Sequence, residues 1–171
     1  GTLGDAALDR EAADAAAPLW QHGAATLLKL GDARVLAEKL APPPLLALVG
    51  ASPIAAALCR MAAMTGFRVA IVDPRKVYAR AELFPDAAAV IHQWPEEGLK
   101  EAGIGAGSYV AVLAHDAKLD VPALATALRL GCRYVGLLGS RVTQQQRRQQ
   151  LIEEGLSADD LGRLRGPIGL D

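Results

Sequence analysis

The chain has 171 residues, enough for one ordinary domain, with 19 acidic and 18 basic residues and a net charge of −1. That balance excludes a basic nucleic-acid binder, and 4% aromatic residues leave few platforms for stacked bases. A hydrophobic share of 51% excludes disorder over most of the length. No apolar run reaches the ~18 residues needed to span a bilayer. No signal peptide is legible either, so a cytoplasmic protein without membrane contact is expected. The chain starts at Gly1 without a Met and reads as a trimmed fragment.

Asp5 to Ala17 is Ala-rich with interspersed charges and reads as a helix, stopped by Pro18. Ala25 to Leu30 and Arg34 to Leu40 are short apolar stretches around Gly31-Asp32 and read as a hairpin. Pro42-Pro43-Pro44 is a boundary, because a proline run continues neither a helix nor a central strand.

After the prolines, strands and helices alternate. Leu45 to Val49 is a continuous apolar run, as expected of a strand buried on both faces. Pro53 to Thr65 reads as a helix with Gly66 past its end. Further strands are expected at Phe67 to Val72, Ala88 to His92, Tyr109 to Ala114 and Tyr134 to Leu138. Helices are expected at Leu119 to Leu130 and Arg141 to Glu154, and a short one after Ser157 with a capping box. Cys59 and Cys132 lie in apolar helical patterns and read as small buried residues, with neither a disulfide framework nor a metal site.

The alternation implies an α/β, doubly wound, mostly parallel sheet with right-handed crossovers, preceded by a small helix-plus-hairpin unit. Ligands bind such sheets beyond the carboxyl ends of the strands, at the switch point. With strand order 3-2-1-4-5, the first and fourth strands are neighbours. Gly50 and His115 then flank the crevice together.

Gly50-Ala51-Ser52-Pro53-Ile54-Ala55 stands where the dinucleotide fingerprint G-x-G-x-x-G/A belongs. Ser52 puts a Cβ where backbone approaches a pyrophosphate, and Pro53 deletes one N–H. The turn is either a phosphate site with weakened NAD(P) binding or a structural turn. Asp73 follows the second strand, 23 residues after Gly50, and either takes a ribose hydroxyl or caps the loop. Arg75 would suit a 2′-phosphate. His115 has a pKa range suited to proton transfer. Asp116, Lys118 and Asp120 beside it are site groups, or a cap and two solvated first-turn residues. Gly139, Ser140 and Arg141 form a second anion site or a tight turn with a capping Ser. The Gln144 to Gln150 run reads as a solvated helix face or a partner-binding face.

Gly50-Ala51-Ser52, Val72-Asp73, Phe84-Pro85-Asp86, His115-Asp116-Ala117-Lys118-Leu119-Asp120, Tyr134 to Arg141 and Gly166-Pro167-Ile168-Gly169-Leu170-Asp171 occur in that order. Together they resemble the Rossmann domain of the XdhC/CoxI family, accessory proteins that mature xanthine dehydrogenase and related molybdenum hydroxylases. Gly1-Thr2-Leu3-Gly4 with Leu8-Asp9 is similar to a Gly-Thr-x-Gly-Gly-Gly-x-Leu-Glu element in the domain before it. The resemblance thus implies a domain remnant at 1–41, a linker at 42–44 and a Rossmann domain at 45–171.

It also implies binding of molybdenum cofactor (molybdopterin) and its delivery to a xanthine-dehydrogenase-type apoenzyme, with a cysteine desulfurase supplying sulfur and room for a homodimer. Gly50, Ser52, Gly139, Ser140 and Arg141 would hold phosphate or pterin-nucleotide groups. Asp73 would hold a hydroxyl, and His115, Asp116 and Lys118 the polar head. No metal ligand is expected from the chain. The sequence departs from the family at Ser52, at Asp5 and Ala6, and in lacking a Cys-Gly-Gly segment, since no Cys precedes Cys59. A non-catalytic carrier is therefore expected. A nicotinamide-dependent oxidoreductase with His115 as acid/base, and a binding module without ligand, are the alternatives.

Overall fold

Leu45–Val49 is buried at every residue because both faces of this strand are covered. Side chains alternate along it. Leu45, Ala47 and Val49 enter one hydrophobic cluster, and Leu46 and Leu48 the other. The computed structural model describes residues 2–19 and 25–169. Gly1 of the Gly-Thr element, and Leu170 and Asp171 of the last motif, lie outside the described residues.

The chain divides into two compact units, 1–42 and 43–171. In the first, helix α1 spans Ala6–Ala16, and Asp5 caps it by accepting from the N–H groups of Ala7 and Leu8. Strands β1 (Thr26–Leu30) and β2 (Ala33–Ala37) pair antiparallel around Gly31. The Asp9 carboxylate accepts from the Thr2 hydroxyl and the Leu3 N–H, both at 2.6 Å, which fixes the Gly-Thr loop against α1.

The second unit holds six parallel strands: β3 (Leu45–Val49), β4 (Arg68–Val72), β5 (Ala89–Ile91), β6 (Tyr109–Val112), β7 (Tyr134–Leu137) and β8 (Leu164–Arg165). Their spatial order is β5-β4-β3-β6-β7-β8, and every neighbouring pair is parallel. The order reverses between β3 and β6, which sets the switch point there. Helix α2 (Pro53–Met64) covers one face through Ala55, Cys59 and Ala62. The other face carries α3 (Pro95–Ala102), α4 (Ala117–Arg129), α5 (Arg141–Glu153) and α6 (Ala158–Gly162). Leu99, Leu124, Leu128, Leu151 and Leu161 fill the core beneath them. Both cysteines are buried.

Three elements go beyond the sequence reading: a 3-10 turn at Ala81–Leu83, helix α3 and strand β8. Helix α3 contains Gly98, a residue of low helix propensity. In the fold Gly98 faces β4, where an added Cβ would stand 2.4 Å from Val72 Cγ1. The glycine is what lets α3 approach the sheet. Strand β8 is two residues long, too short to show a period. No helix among the described residues is long and apolar enough to cross a membrane.

Candidate functional site

Beyond the carboxyl ends of β3, β4, β6 and β7 the chain brings Gly50, Asp73, His115 and Gly139 to one edge of the sheet. Gly50 has φ +101°, and an added Cβ would meet the Ala114 backbone at 2.6 Å. Only glycine allows the end of β3 this close to the end of β6, so Gly50 and His115 lie together at the switch point.

The turn after Gly50 satisfies almost all of its own donors. The Ala51 N–H donates to Asp73 Oδ2 at 2.8 Å, and the Ser52 N–H to the Gly50 carbonyl at 3.1 Å. Pro53 has no N–H, and the Ala55 N–H donates to Ser52 Oγ. Ile54 alone in this stretch keeps an amide without an acceptor. A fingerprint turn binds pyrophosphate through such amides, and here they are spent internally.

Asp73 is fully buried. It accepts from the Ala51 and Arg75 backbone N–H groups and from both Nε and Nη2 of the Arg75 side chain. Burial by itself would raise its pKa, but the Arg75 side chain and the two backbone donors outweigh that and hold it below the usual carboxylate value. A ribose hydroxyl would reach this carboxylate only by displacing one of these bonds.

The opening of α5 is arranged differently. Ser140 caps the helix by accepting from the Thr143 N–H at 3.2 Å. The amides of Ser140, Arg141 and Val142 have no acceptor among the described hydrogen bonds, and Arg141 is exposed beside them. The unpaired backbone amides of this edge are therefore concentrated at β7–α5, while β3–α2 keeps only that of Ile54.

Between them stands His115, the one non-glycine residue with positive φ (58°) among the described residues. Strained backbone of this kind concentrates at functional sites. Asp116 caps α4 through the Lys118 N–H at 3.0 Å, and His115, Asp116 and Lys118 are all exposed.

Two of the sequence readings are corrected here. Asp120 is not a solvated first-turn residue: it is fully buried, and Arg147 of α5 donates from Nε to its Oδ2 at 3.0 Å. Burial pushes its pKa up, and Arg147 offsets this only in part. Its Oδ1 has no hydrogen-bond partner among the described residues. Nor is the glutamine run uniformly solvated, since Gln144 is buried and donates from Nε2 to the Leu137 carbonyl. The i, i+3 spacing of Gln144 and Arg147 was the available signal, but a run of polar residues hides which of its members face inward. An apolar groove of about 430 Å³, lined by Leu46, Phe67, Tyr109 and Tyr134, lies at the amino ends of the strands and belongs to no part of this edge.

The family model described as the XdhC Rossmann domain matches residues 46–171. A Bacillus subtilis protein named as a probable subunit of xanthine dehydrogenase is 34% identical over 103 residues, 60% of this chain and 31% of that protein. The molybdenum cofactor insertion chaperone PaoD of Escherichia coli is 31% identical over 125 residues, 73% of this chain and 33% of that protein. A crystal structure of a xanthine dehydrogenase from Bacillus halodurans superposes with a TM-score of 0.64 at 29% identity, covering 75% of this chain and 36% of that one. The chain spans about a third of the length of each of these relatives. The parallel sheet, its switch point and the ordered motifs along its carboxyl edge agree with that match: the chain belongs to the XdhC Rossmann domain family.

Proposed function

We propose that the chain is the cofactor-handling domain of a maturation factor that binds molybdenum cofactor and delivers it to a xanthine-dehydrogenase-type hydroxylase. The names of two relatives support the cofactor and client class. The observation that carries the reading is the open cradle of amides at α5, with Arg141 beside it and His115 and Lys118 across the same edge.

Molybdopterin carries a terminal phosphate, and this cradle fits that group. When bound, the cofactor supplies a molybdenum–dithiolene centre that becomes part of the client. Gly139, Ser140 and Arg141 hold the phosphate, and His115, Asp116 and Lys118 face the polar head. Gly50 brings the two strand ends together to form the floor. Ser52 and Asp73 touch ligand only at the expense of bonds within the chain. Neither cysteine offers a thiolate: both are buried, and burial pushes their thiols up. The domain would thus hold the organic part of the cofactor, with neither of its cysteines exposed as a ligand. The sulfur donor in this scheme is a cysteine desulfurase partner.

The test is anaerobic transfer. The chain loaded with molybdenum cofactor, mixed with a xanthine-dehydrogenase-type apoenzyme, restores more activity than free cofactor. Arg141→Ala weakens cofactor binding by about 1–3 kcal/mol with an unchanged melting temperature, because Arg141 is an exposed charged donor. Absence of cofactor binding, or transfer no better than free cofactor, overturns the reading.

A further inference from the structure

The carboxyl edge of the sheet carries apolar side chains as well as polar groups. Ile54 in the first turn of α2, Val77 and Tyr78 after β4, Trp94 after β5 and Val142 in the first turn of α5 are all exposed. They stand on both sides of the crevice and of the open amides at β7–α5. Of the other exposed large apolar residues described in this unit, Met61 and Met64 lie at the far end of α2, and Leu130 and Ile152 at the far ends of α4 and α5. Single apolar residues scattered over a surface need no explanation, but a set gathered round one site does.

Two of these side chains are held ready. The Arg75 guanidinium carbon stands 4.8 Å from the centroid of the Tyr78 ring, and Asp73 clamps that guanidinium. His92 Nε2 hydrogen-bonds the Ala79 carbonyl, which pins the Tyr78 loop to the end of β5. Trp94 directly precedes Pro95, which opens α3 and is buried. Aromatic side chains on a fixed backbone lose little further freedom on contact, and they often carry most of the binding energy between proteins. Lys76 and Arg80 flank Tyr78, exposed and without an ion pair among the described residues. Lys118 and Arg141 add two exposed cations further along the edge. Glu96 and Glu97, exposed on the first turn of α3, are the opposing charges that follow Trp94.

From β5 to β7 the edge spans four strand spacings, roughly 19 Å. One interface of standard size covers about 800 Å² on each partner, a patch roughly 30 Å across. A protein seated over the amides at β7–α5 therefore covers these apolar side chains too. We infer that this edge is the docking surface for the apo-hydroxylase that receives the cofactor, with Tyr78 and Trp94 as anchors and Lys76 and Arg80 against acidic residues of that protein. Apolar contacts on both sides of the site exclude water while the cofactor changes hands. A second copy of the chain fits this face poorly, because it would set Lys76, Arg80, Lys118 and Arg141 against their own like charges. The surface is carried by the exposed side chains and their placement, and the identity of the partner rests on the proposed function.

Interferometry with the intact chain and an immobilised xanthine-dehydrogenase-type apoenzyme, free of molybdenum cofactor, tests it. The unaltered chain binds saturably, and more weakly as salt rises. Tyr78→Ala with Trp94→Ala weakens this binding at least tenfold and leaves the affinity for molybdenum cofactor unchanged. Val77→Glu, a change at an exposed loop residue that keeps both aromatic rings, weakens it at least tenfold as well. Leu130→Ala, at the far end of α4, leaves it unchanged. In transfer assays the double variant needs at least tenfold more apoenzyme for half-maximal rate but reaches the same maximum. Apoenzyme affinity indifferent to both edge variants in chains of normal melting temperature, or lost equally in Leu130→Ala, overturns the surface. So does sedimentation of the unaltered chain as a dimer that the edge variants dissociate. Transfer left intact in the double variant removes the surface alone. Apoenzyme binding lost in the edge variants, by a chain that binds no cofactor, keeps the surface and removes the delivery role alone.

Discussion

Asp73 and Arg75 form a two-point clamp, with Nε 2.9 Å from Oδ1 and Nη2 2.7 Å from Oδ2, while Asp73 is fully buried and Arg75 is half in solvent. The same carboxylate holds the Ala51 N–H of the turn after β3. One side chain thus ties the ends of β3 and β4 together and spends the acceptor that a nucleotide ribose would use. Because Asp73 titrates below its usual value, the folded chain binds this proton less tightly than the unfolded chain. The stabilisation is therefore present above the unfolded carboxylate pKa of about 4 and is lost as pH falls through the folded value. Asp73→Asn is expected to cost about 1–3 kcal/mol near neutral pH, with a deficit that shrinks below about pH 4. Urea unfolding of both proteins at several pH values measures this. A deficit independent of pH would show that the charge contributes nothing.

The self-satisfied turn predicts poor dinucleotide binding. Only the Ile54 amide is open there, the Ser52 Cβ blocks close approach, and Pro53 offers no donor. Calorimetry with NAD and NADP should show no tight binding by the unaltered chain. Replacing both residues, Ser52→Gly with Pro53→His, restores an N–H and removes a Cβ. It should strengthen nucleotide binding roughly tenfold, about 1.4 kcal/mol. Glycine serves as a cap almost as well as serine, so the fold should lose only a few tenths of a kcal/mol. Tight NAD binding by the unaltered chain contradicts this account.

Much of this edge is legible in the sequence because it depends on local pattern. The five longer strands are apolar runs, and Gly50, Asp73, His115 and Gly139 each follow one, so their convergence follows from the parallel order alone. What the sequence hides is pairing across distance. Nothing in His115-Asp116-Ala117-Lys118-Leu119-Asp120 marks Asp120 as buried, because its partner Arg147 lies 27 residues away in a run of glutamines. Gly98 is a like case: its place in α3 is set by Val72 on a strand rather than by its helical neighbours. Asp73 takes its loop-capping alternative through the Arg75 N–H, and only the added grip of the Arg75 side chain goes beyond the sequence reading. The expected ribose contact and the observed clamp place the same carboxylate at the same strand end.

Among the described residues Arg147 donates the one hydrogen bond that reaches the Asp120 carboxylate, and its side chain is itself only 11% exposed. Removing it leaves a buried carboxylate without a partner. Arg147→Met is therefore expected to lose about 3–5 kcal/mol near neutral pH. The pH dependence has the opposite sign to that of Asp73. Asp120 titrates above its usual value because of burial, so the folded state takes up its proton first and gains stability as pH falls toward the unfolded value. Without Arg147 that elevation grows, and the variant should recover part of its deficit on mild acidification. Thermal unfolding at neutral and mildly acidic pH decides it. A deficit that deepens with acid would mean that Asp120 is not the group left uncompensated.

His115 is where the carrier and enzyme readings part. It occupies left-handed backbone at φ 58°, costing on the order of 1–3 kcal/mol in a non-glycine residue, yet its ring is exposed beside Gly50 rather than packed in the core. Packing does not account for an imidazole here, so two replacements separate strain from chemistry. His115→Gly relieves the backbone and should leave the chain at least as stable, by up to ~1 kcal/mol. His115→Gln keeps the strain and removes the imidazole. On the carrier reading both variants fold and both bind molybdenum cofactor more weakly, and neither the variants nor the unaltered chain turns over NAD(P)H with simple carbonyl or purine substrates. As a general acid/base, His115 would instead contribute about 10²–10⁴-fold to a rate. Its neighbours give that role little help, since Asp116 is committed to capping α4 and Asp120 to Arg147. Hydride transfer by the purified chain, abolished in His115→Gln with the fold intact, would replace the carrier with an oxidoreductase.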